Sequence, residues 1–382
     1  MDFKFTEEQN LLRDSIAEVM KKDITIDYVR ECDEKGEYPY RFYEKAVELG
    51  WVALAFPEEY GGLGGDAIEL AILGEETSRY GTDLAEAIGL TMFNGRSIVR
   101  HGTQEQKQYY IPKAINGEIR FCISITEPGA GSDTSSLKTE AVKKPGEYVI
   151  NGHKVFCSGA HARNSIIKLF ARTDNALKKD QGLSVFLIPT DTNGILIRRI
   201  QTLGWRILGN NDLFLENVNV PEKNLLGALN NGAEVLTSGI DLERLYGASS
   251  YVGNTQTILE TSLQHAKQRV QFGQPIGSFQ AISHMLCDMQ TELEAGRLLV
   301  YRAAWNMMQE KPSLKEVSMA KLYTSETFVR HAAMGIQIMG GYGFCDDDMQ
   351  RYFRASRVAT IVAGTSQIQR KIIATSMGLK VQ

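Results

Sequence analysis

The sequence predicts an α+β protein in which helices come first, short strands occupy the middle and long helices return. Three observations carry that expectation. Up to about residue 118 the apolar residues recur at helical spacing, and from 119 to 228 short runs rich in β-branched and aromatic residues replace them. Beyond Pro221, four long stretches again carry apolar residues three and four apart. The expected units are therefore an all-helical domain over 1–118, an antiparallel β domain over 119–228 and a helical bundle over 229–382. Strands and helices do not alternate, which argues against a doubly wound sheet. A chain of 382 residues also exceeds the usual size of one hydrophobic core.

In the first unit, Thr6 and Gln9 have the spacing of a capping box, and Leu12, Ile16, Val19 and Met20 follow on one helical face. Pro39 interrupts before a helix over 42–49. The Pro- and Gly-rich segment 56–65 reads as a loop, and helix returns over 67–80 and again before Asn116-Gly117. In the middle unit, strands are expected at 120–126, 148–150, 155–157, 166–171, 183–188 and 213–220, with Asn151-Gly152 as a hairpin turn. In the last unit, helices are expected over 236–263, 282–308, 314–339 and 349–377.

Composition narrows the function. The chain is 43% hydrophobic and 23% charged, with a formal net charge of -4 and no long block of like charges. That balance argues against nucleic-acid and membrane partners. Cys32, Cys122, Cys157, Cys287 and Cys345 are scattered without a C-x-x-C pair, as expected of reduced thiols in a cytoplasmic protein. The N-terminal MDFKFTEEQNLL has no apolar signal region, and no run of about 18 apolar residues is present to span a bilayer. The six histidines include no HExxH or other paired spacing, so no metal site is expected. No G-x-S-x-G elbow is present either.

Several glycine-rich segments remain. Residues 127–133 follow a strand and suit either a tight loop or the close approach of a large anionic ligand; they match neither a P-loop nor a dinucleotide fingerprint. Residues 337–344 read as a helix ending in a glycine cap, and Arg269 ends another helix where a cation suits the dipole. Thr365, Ser366 and Gln367 suit a helix cap or hydrogen bonds to a heterocycle.

The segments ITEPGAGSD, NGHKVF, NVNVPEKNLLG, QRVQFGQPIGSFQ, QIMGGYGF and AGTSQIQR occur in this order. Together they resemble the acyl-CoA dehydrogenase family of flavoproteins over essentially the whole chain. The resemblance implies an N-terminal helical domain, a middle β-barrel-like domain and a C-terminal four-helix bundle, with FAD between the last two. It implies flavin contacts at Ile125, Thr126, Ser132, Phe156, Ser158, Thr365 and Gln367. Arg269, Gln271, Phe272 and Gln280 match residues that reach the FAD of a neighbouring subunit, and Gln337 and Gly341 match the return contact, which implies a homotetramer built as a dimer of dimers. Ser132, Asp241, Arg244 and Gly364 match substrate contacts.

Many members place the catalytic base where this chain has Ala363, whose methyl group accepts no proton. The isovaleryl and long-chain branches place it about 120 positions earlier, which corresponds to Glu243 in DLER. The implied reaction is α,β-dehydrogenation of an acyl thioester, with electrons passing to an electron-transfer flavoprotein or oxygen. Three alternatives stay open at this point: oxidation of a prolyl-type group on a phosphopantetheine carrier protein, reduction of an enoyl-CoA as in the crotonobetainyl-CoA reductase branch, and flavin binding without catalysis. The family's usual Arg-Asp-Ala is Arg354-Ala355-Ser356 here, and Trp205-Arg206-Ile207 lacks the Ser usual after the Arg.

Overall fold

The computed structural model describes residues 4–177, 181–345 and 347–381. Helices α1 (Glu7–Lys22), α2 (Ile26–Lys35), α3 (Tyr40–Glu48), α4 (Ala67–Thr77), α5 (Thr82–His101) and α6 (Gln104–Ile115) form the first layer. The Thr6–Gln9 capping box is present, with Gln9 N–H donating to Thr6 Oγ1 at 3.2 Å and Thr6 N–H to Gln9 Oε1 at 3.1 Å. Asp66–Glu69 and Thr103–Gln106 repeat the device at α4 and α6. From Leu70 to Thr77 every residue of α4 is buried, so this helix lies inside the molecule and not on its surface.

Strands β1 (Arg120–Ser124), β2 (Glu140–Lys144), β3 (Glu147–Lys154), β4 (Ser165–Arg172), β5 (Leu183–Pro189), β6 (Ile195–Ile200), β7 (Asn210–Pro221) and β8 (Leu225–Leu226) make one sheet in the order β6-β7-β3-β2-β4-β5-β8. Most pairings are antiparallel, as expected, but β1 and β2 both pair with β4 in parallel. Strand β4 divides its side chains between two cores. Ile166 and Phe170 join the helices, while Ile167, Leu169 and Ala171 join Tyr148, Ile150, Phe186, Leu213 and Val218 within the β domain.

Two expectations for this domain fail. Asn151-Gly152 is not a turn: β3 runs through it, with a register shift against β7 between Ile150 and Gly152. The Asn217 N–H donates to Asn151 Oδ1 at 2.8 Å, so the asparagine braces the bulge. The hairpin instead turns at Pro145-Gly146, where Gly146 has φ +79°. Residues 155–157 are not a strand; the chain leaves β3 at Lys154, and Phe156 adopts φ +58°.

The last unit contains α7 (Gly232–Thr237), α8 (Ile240–Gln268), the short pair β9 (Val270–Gln271) and β10 (Gln274–Pro275), α9 (Gln280–Met308), α10 (Leu314–Met339) and α11 (Gly341–Phe344). It ends with α12 (Asp348–Ala359) and α13 (Ser366–Ser376). The single helix expected over 349–377 is therefore two, separated where Ala363 and Gly364 take φ +53° and +89°. Helix α8 crosses α4 at very short range. A Cβ on Gly253 would lie 1.8 Å from the Glu75 carbonyl oxygen, and one on Gly74 would lie 2.3 Å from Ser249 Oγ. No helix among the described residues is long and apolar enough to cross a membrane.

Candidate active site

Glu243 lies in the first turn of α8, after Gly239 has turned the chain with φ +116°. Its side chain is half-buried and has no hydrogen-bond partner among the described residues. Burial raises its pKa above the ordinary carboxyl value, while the positive charges of Lys168 and Arg244 oppose the rise. An acid in this state has a basicity suited to proton abstraction from carbon.

Lys168 reaches the same region from the sheet. It shares the helix-facing side of β4 with Ile166 and Phe170, is 4% exposed, and donates from Nζ to Ser97 Oγ on α5 at 3.0 Å. Burial pushes its pKa down to about 8, and Glu243 opposes that shift. One further acid faces this space. Glu86 on α5 is half-buried, and burial together with Glu243 pushes its pKa up to about 8.

Next to Glu243, Arg244 points to the turn before α13. Its Nε donates to the Ala363 carbonyl at 3.1 Å, and its guanidinium stands 3.9 Å from Asp241. Lys321 Nζ on α10 donates to the Gly364 carbonyl at 2.8 Å. Gln369 Nε2 donates to both carbonyls, at 3.2 and 3.1 Å. A left-handed turn with a non-glycine residue costs about 1–2 kcal/mol; here four side-chain hydrogen bonds hold it. Lys321 is 1% exposed, and burial followed by repulsion from Arg244 pushes its pKa down to about 7. Asp241 Oδ1 is buried without a hydrogen-bond partner and is paired only loosely, at 3.9 Å, with the Arg244 guanidinium.

A second group of expected residues meets at the edge of the β domain. Ile125 and Thr126 follow β1, and the Val155 N–H donates to the Thr126 carbonyl at 2.9 Å. Lys154, fully buried, donates from Nζ to the Ile125 carbonyl at 2.9 Å and to Glu127 Oε1 at 2.8 Å. Burial alone would raise Glu127, but hydrogen bonds from Lys154 and Thr139 outweigh it and hold the carboxyl below its ordinary range. This ion pair fixes the loop carrying Ile125, Thr126 and the exposed Ser132. Phe156 presents its ring to solvent at 58% exposure, and Ser158 Oγ donates to Asn210 Oδ1 at 2.8 Å.

These groups fit FAD. Phe156 offers a flat apolar face for an isoalloxazine ring, and Thr126 and Ser158 offer polar atoms beside it. At the start of α13, Thr365 Oγ1 accepts from the Ile368 N–H at 3.2 Å, while Ser366 Oγ is buried with no partner. Thr365, Ser366 and Gln367 line an open cleft of about 440 Å3 with Arg330 and Arg357. No group of His, Cys, Asp and Glu among the described residues could hold a metal.

Arg269, Gln271, Phe272 and Gln280 stand apart at the far end of α8 and the start of α9, all exposed, with Phe272 93% so. The Arg269 guanidinium lies 5.7 Å from the Tyr342 ring, which brings this group beside the end of α10 with Gln337 and Gly341. A Cβ on Gly341 would meet nothing within 4 Å. Among the described residues, no hydrogen bond or ion pair joins this outer group to Thr126 or Glu243.

Glu86, Lys168 and Lys321 were not among the expected site residues. Two of the three had a signal in the sequence. Lys168 is the lone charge in the apolar run 166–171, and Glu86 interrupts the apolar start of α5. Lys321 sits among helical residues with nothing to distinguish it.

Matches to known proteins agree with this architecture. The chain matches the family profiles for the acyl-CoA dehydrogenase N-terminal domain at 6–118, middle domain at 122–218 and C-terminal domain at 230–378. It is 36% identical over 381 residues to a probable acyl-CoA dehydrogenase, YngJ, of Bacillus subtilis, covering 99% of this chain and 100% of that one. It is 35% identical over 372 residues to the CarC subunit of the caffeyl-CoA reductase-Etf complex of Acetobacterium woodii, covering 97% and 98%. The crystal structure of the prolyl acyl carrier protein oxidase AnaB superposes with a TM-score of 0.93 at 30% identity, covering 98% and 100%. The chain belongs to the acyl-CoA dehydrogenase family, FAD-dependent oxidoreductases that act on CH–CH groups.

Proposed function

We propose that the chain dehydrogenates an acyl thioester with Glu243 as the base that removes the Cα proton. The observation that carries this reading is the half-buried, unpartnered Glu243 carboxyl on α8, whose pKa is raised by burial, while Ala363 has no group to accept a proton. When bound, FAD supplies the acceptor for the hydride equivalent that leaves Cβ. The protein's part is alignment and charge. Glu243 receives the α proton, and Lys168 and Arg244 favour its ionised form before the transfer. The product is the α,β-unsaturated thioester.

Phe156, Ile125, Thr126, Ser158, Thr365 and Gln367 are our candidates for flavin contacts, and Ser132, Asp241, Arg244 and Gly364 for substrate contacts. The open glycines at the end of α10 and the exposed Phe272 support a homotetramer in which neighbouring subunits cover each other's outer groups. Electron-transfer flavoprotein is the acceptor we favour, since CarC belongs to a complex with one. The five cysteines are free, which supports a cytoplasmic enzyme.

Glu243→Gln tests the assignment. The variant is expected to keep FAD and fold, and to lose roughly 100- to 10,000-fold in flavin reduction by acyl-CoA and in α-proton exchange. Near-normal exchange in the variant removes Glu243 from the base role.

A further inference from the structure

Beyond Glu243 the facing surfaces of α8 and α5 carry polar groups that proton abstraction does not need. Gly247 is one turn from Glu243 on the same face of α8, and Tyr251 is a further turn on. A Cβ on Gly247 would meet Glu86 Oε1 at 3.7 Å and Tyr251 Oη at 3.8 Å, ordinary contact distances, so the bare glycine leaves about a methyl group's room where a carboxyl and a phenol converge. Tyr251 is 2% exposed, and neither its hydroxyl nor the Glu86 carboxyl has a hydrogen-bond partner among the described residues. The surroundings are apolar and well ordered: Tyr246 is held by its hydroxyl to the Ala85 carbonyl at 3.0 Å and packs edge-on against Phe93, and Tyr251 stacks on Phe328.

A carboxyl and a phenol converging in such surroundings are costly unless something bonds to them. A plain alkyl chain entering past Glu243 would leave both unsatisfied. A chain ending in an N–H or O–H group would satisfy them. We propose that Glu86 and Tyr251 form a polar subsite for the far end of the acyl group, selecting thioesters whose chain ends in a hydrogen-bond donor such as a hydroxyl or an ammonium. This rests on the reading of Glu243 as base, which fixes the reacting end of the chain. Beside a hydroxyl, Glu86, its pKa raised by burial and the charge of Glu243, keeps its proton and so donates one hydrogen bond and accepts another; beside an ammonium it gives the proton up and forms an ion pair.

The test compares hexanoyl thioesters with isosteres whose terminal methyl is replaced by hydroxyl or by ammonium, each as the CoA and as the pantetheine thioester. With the FAD-loaded protein, flavin bleaching by the polar-ended compounds is expected to exceed that by hexanoyl in kcat/KM by roughly ten- to a hundredfold. In Glu86→Leu the ratio collapses to about one or below, and in Tyr251→Phe it falls by part of that amount. Glu86→Gln, of nearly the same shape, retains the hydroxyl preference and loses that for ammonium, which separates recognition from misfolding. Equal or better use of hexanoyl by the native protein, or ratios unchanged in Glu86→Leu, overturns the subsite while leaving the dehydrogenase reading in place. Failure of every thioester to bleach the flavin overturns both.

Discussion

Arg244 donates from Nε to the carbonyl of Ala363 at 3.1 Å, which ties the first turn of α8 to the turn leading into α13. Glu243 is the neighbour of the donor, and Ala363 matches, by resemblance, the position from which many family members supply the base. Two segments about 120 residues apart in sequence thus meet through Arg244. On the reading of Glu243 as base, its relocation is a local change and not a rebuilding of the site.

Placing a carboxylate at Ala363 therefore has a defined outcome. Ala363 already adopts φ +53°, so glutamate there brings no new backbone strain. Ala363→Glu in the Glu243→Gln background is expected to regain a few per cent of native flavin reduction, read by stopped-flow bleaching. No recovery, with flavin retained, would show that the two positions do not address the same Cα.

With Glu243 as the proposed base, Lys168 is expected to set the acid limb of the pH profile. Its positive charge lowers the pKa of Glu243 against burial, so Lys168→Met raises that pKa further. Since the base must be ionised, the rise of kcat/KM with pH shifts to higher pH in the variant. An unshifted limb in a folded, FAD-loaded variant removes Lys168 from this role.

Glu86 leaves a signature in stability. Its carboxyl titrates near the ordinary 4.5 when unfolded and near about 8 when folded. Between these values the unfolded state has lost a proton that the folded state keeps, so stability falls as pH rises through the window and levels off above it. Glu86→Gln removes that contribution. The melting temperature of native protein relative to the variant is expected to fall steadily from pH 5 to 8, and parallel curves would contradict the assignment.

Lys321 tests the turn itself. Lys321→Met removes one of the two donors to the Gly364 carbonyl, the other being Gln369. A loss of roughly 1–3 kcal/mol is expected, with weaker FAD retention because Thr365–Gln367 begin at this turn. The ratio of flavin to protein absorbance after gel filtration reads it directly.

The helical units were legible because their signals are local. The Thr6–Gln9 box and the apolar faces of α8, α9 and α10 depend on residues a turn apart. The failures are places where tertiary contacts override a local rule. Asn151-Gly152 has turn chemistry, yet Asn217 engages the asparagine from the neighbouring strand, and Thr139 packs against the glycine where a Cβ would stand 2.4 Å from its Oγ1. Residues 349–377 keep helical periodicity across the break because α12 and α13 both pack on α10; only the carbonyl donors Arg244, Lys321 and Gln369 reveal why the chain turns. Glu243 is a candidate base through family resemblance, not through any local signal. Its neighbours Glu86 and Lys168 come from a helix and a strand far away in sequence, and only the fold brings them to it.

Gly253 lies so close to the Glu75 carbonyl that a single added methyl must push α8 away from α4. Glu243 rides on the same rigid rod, some three turns away. If Glu243 is the base, as proposed, a Gly253→Ala exchange disarms the enzyme at a distance, by tilting that carboxyl away from its target while every reacting group stays chemically intact.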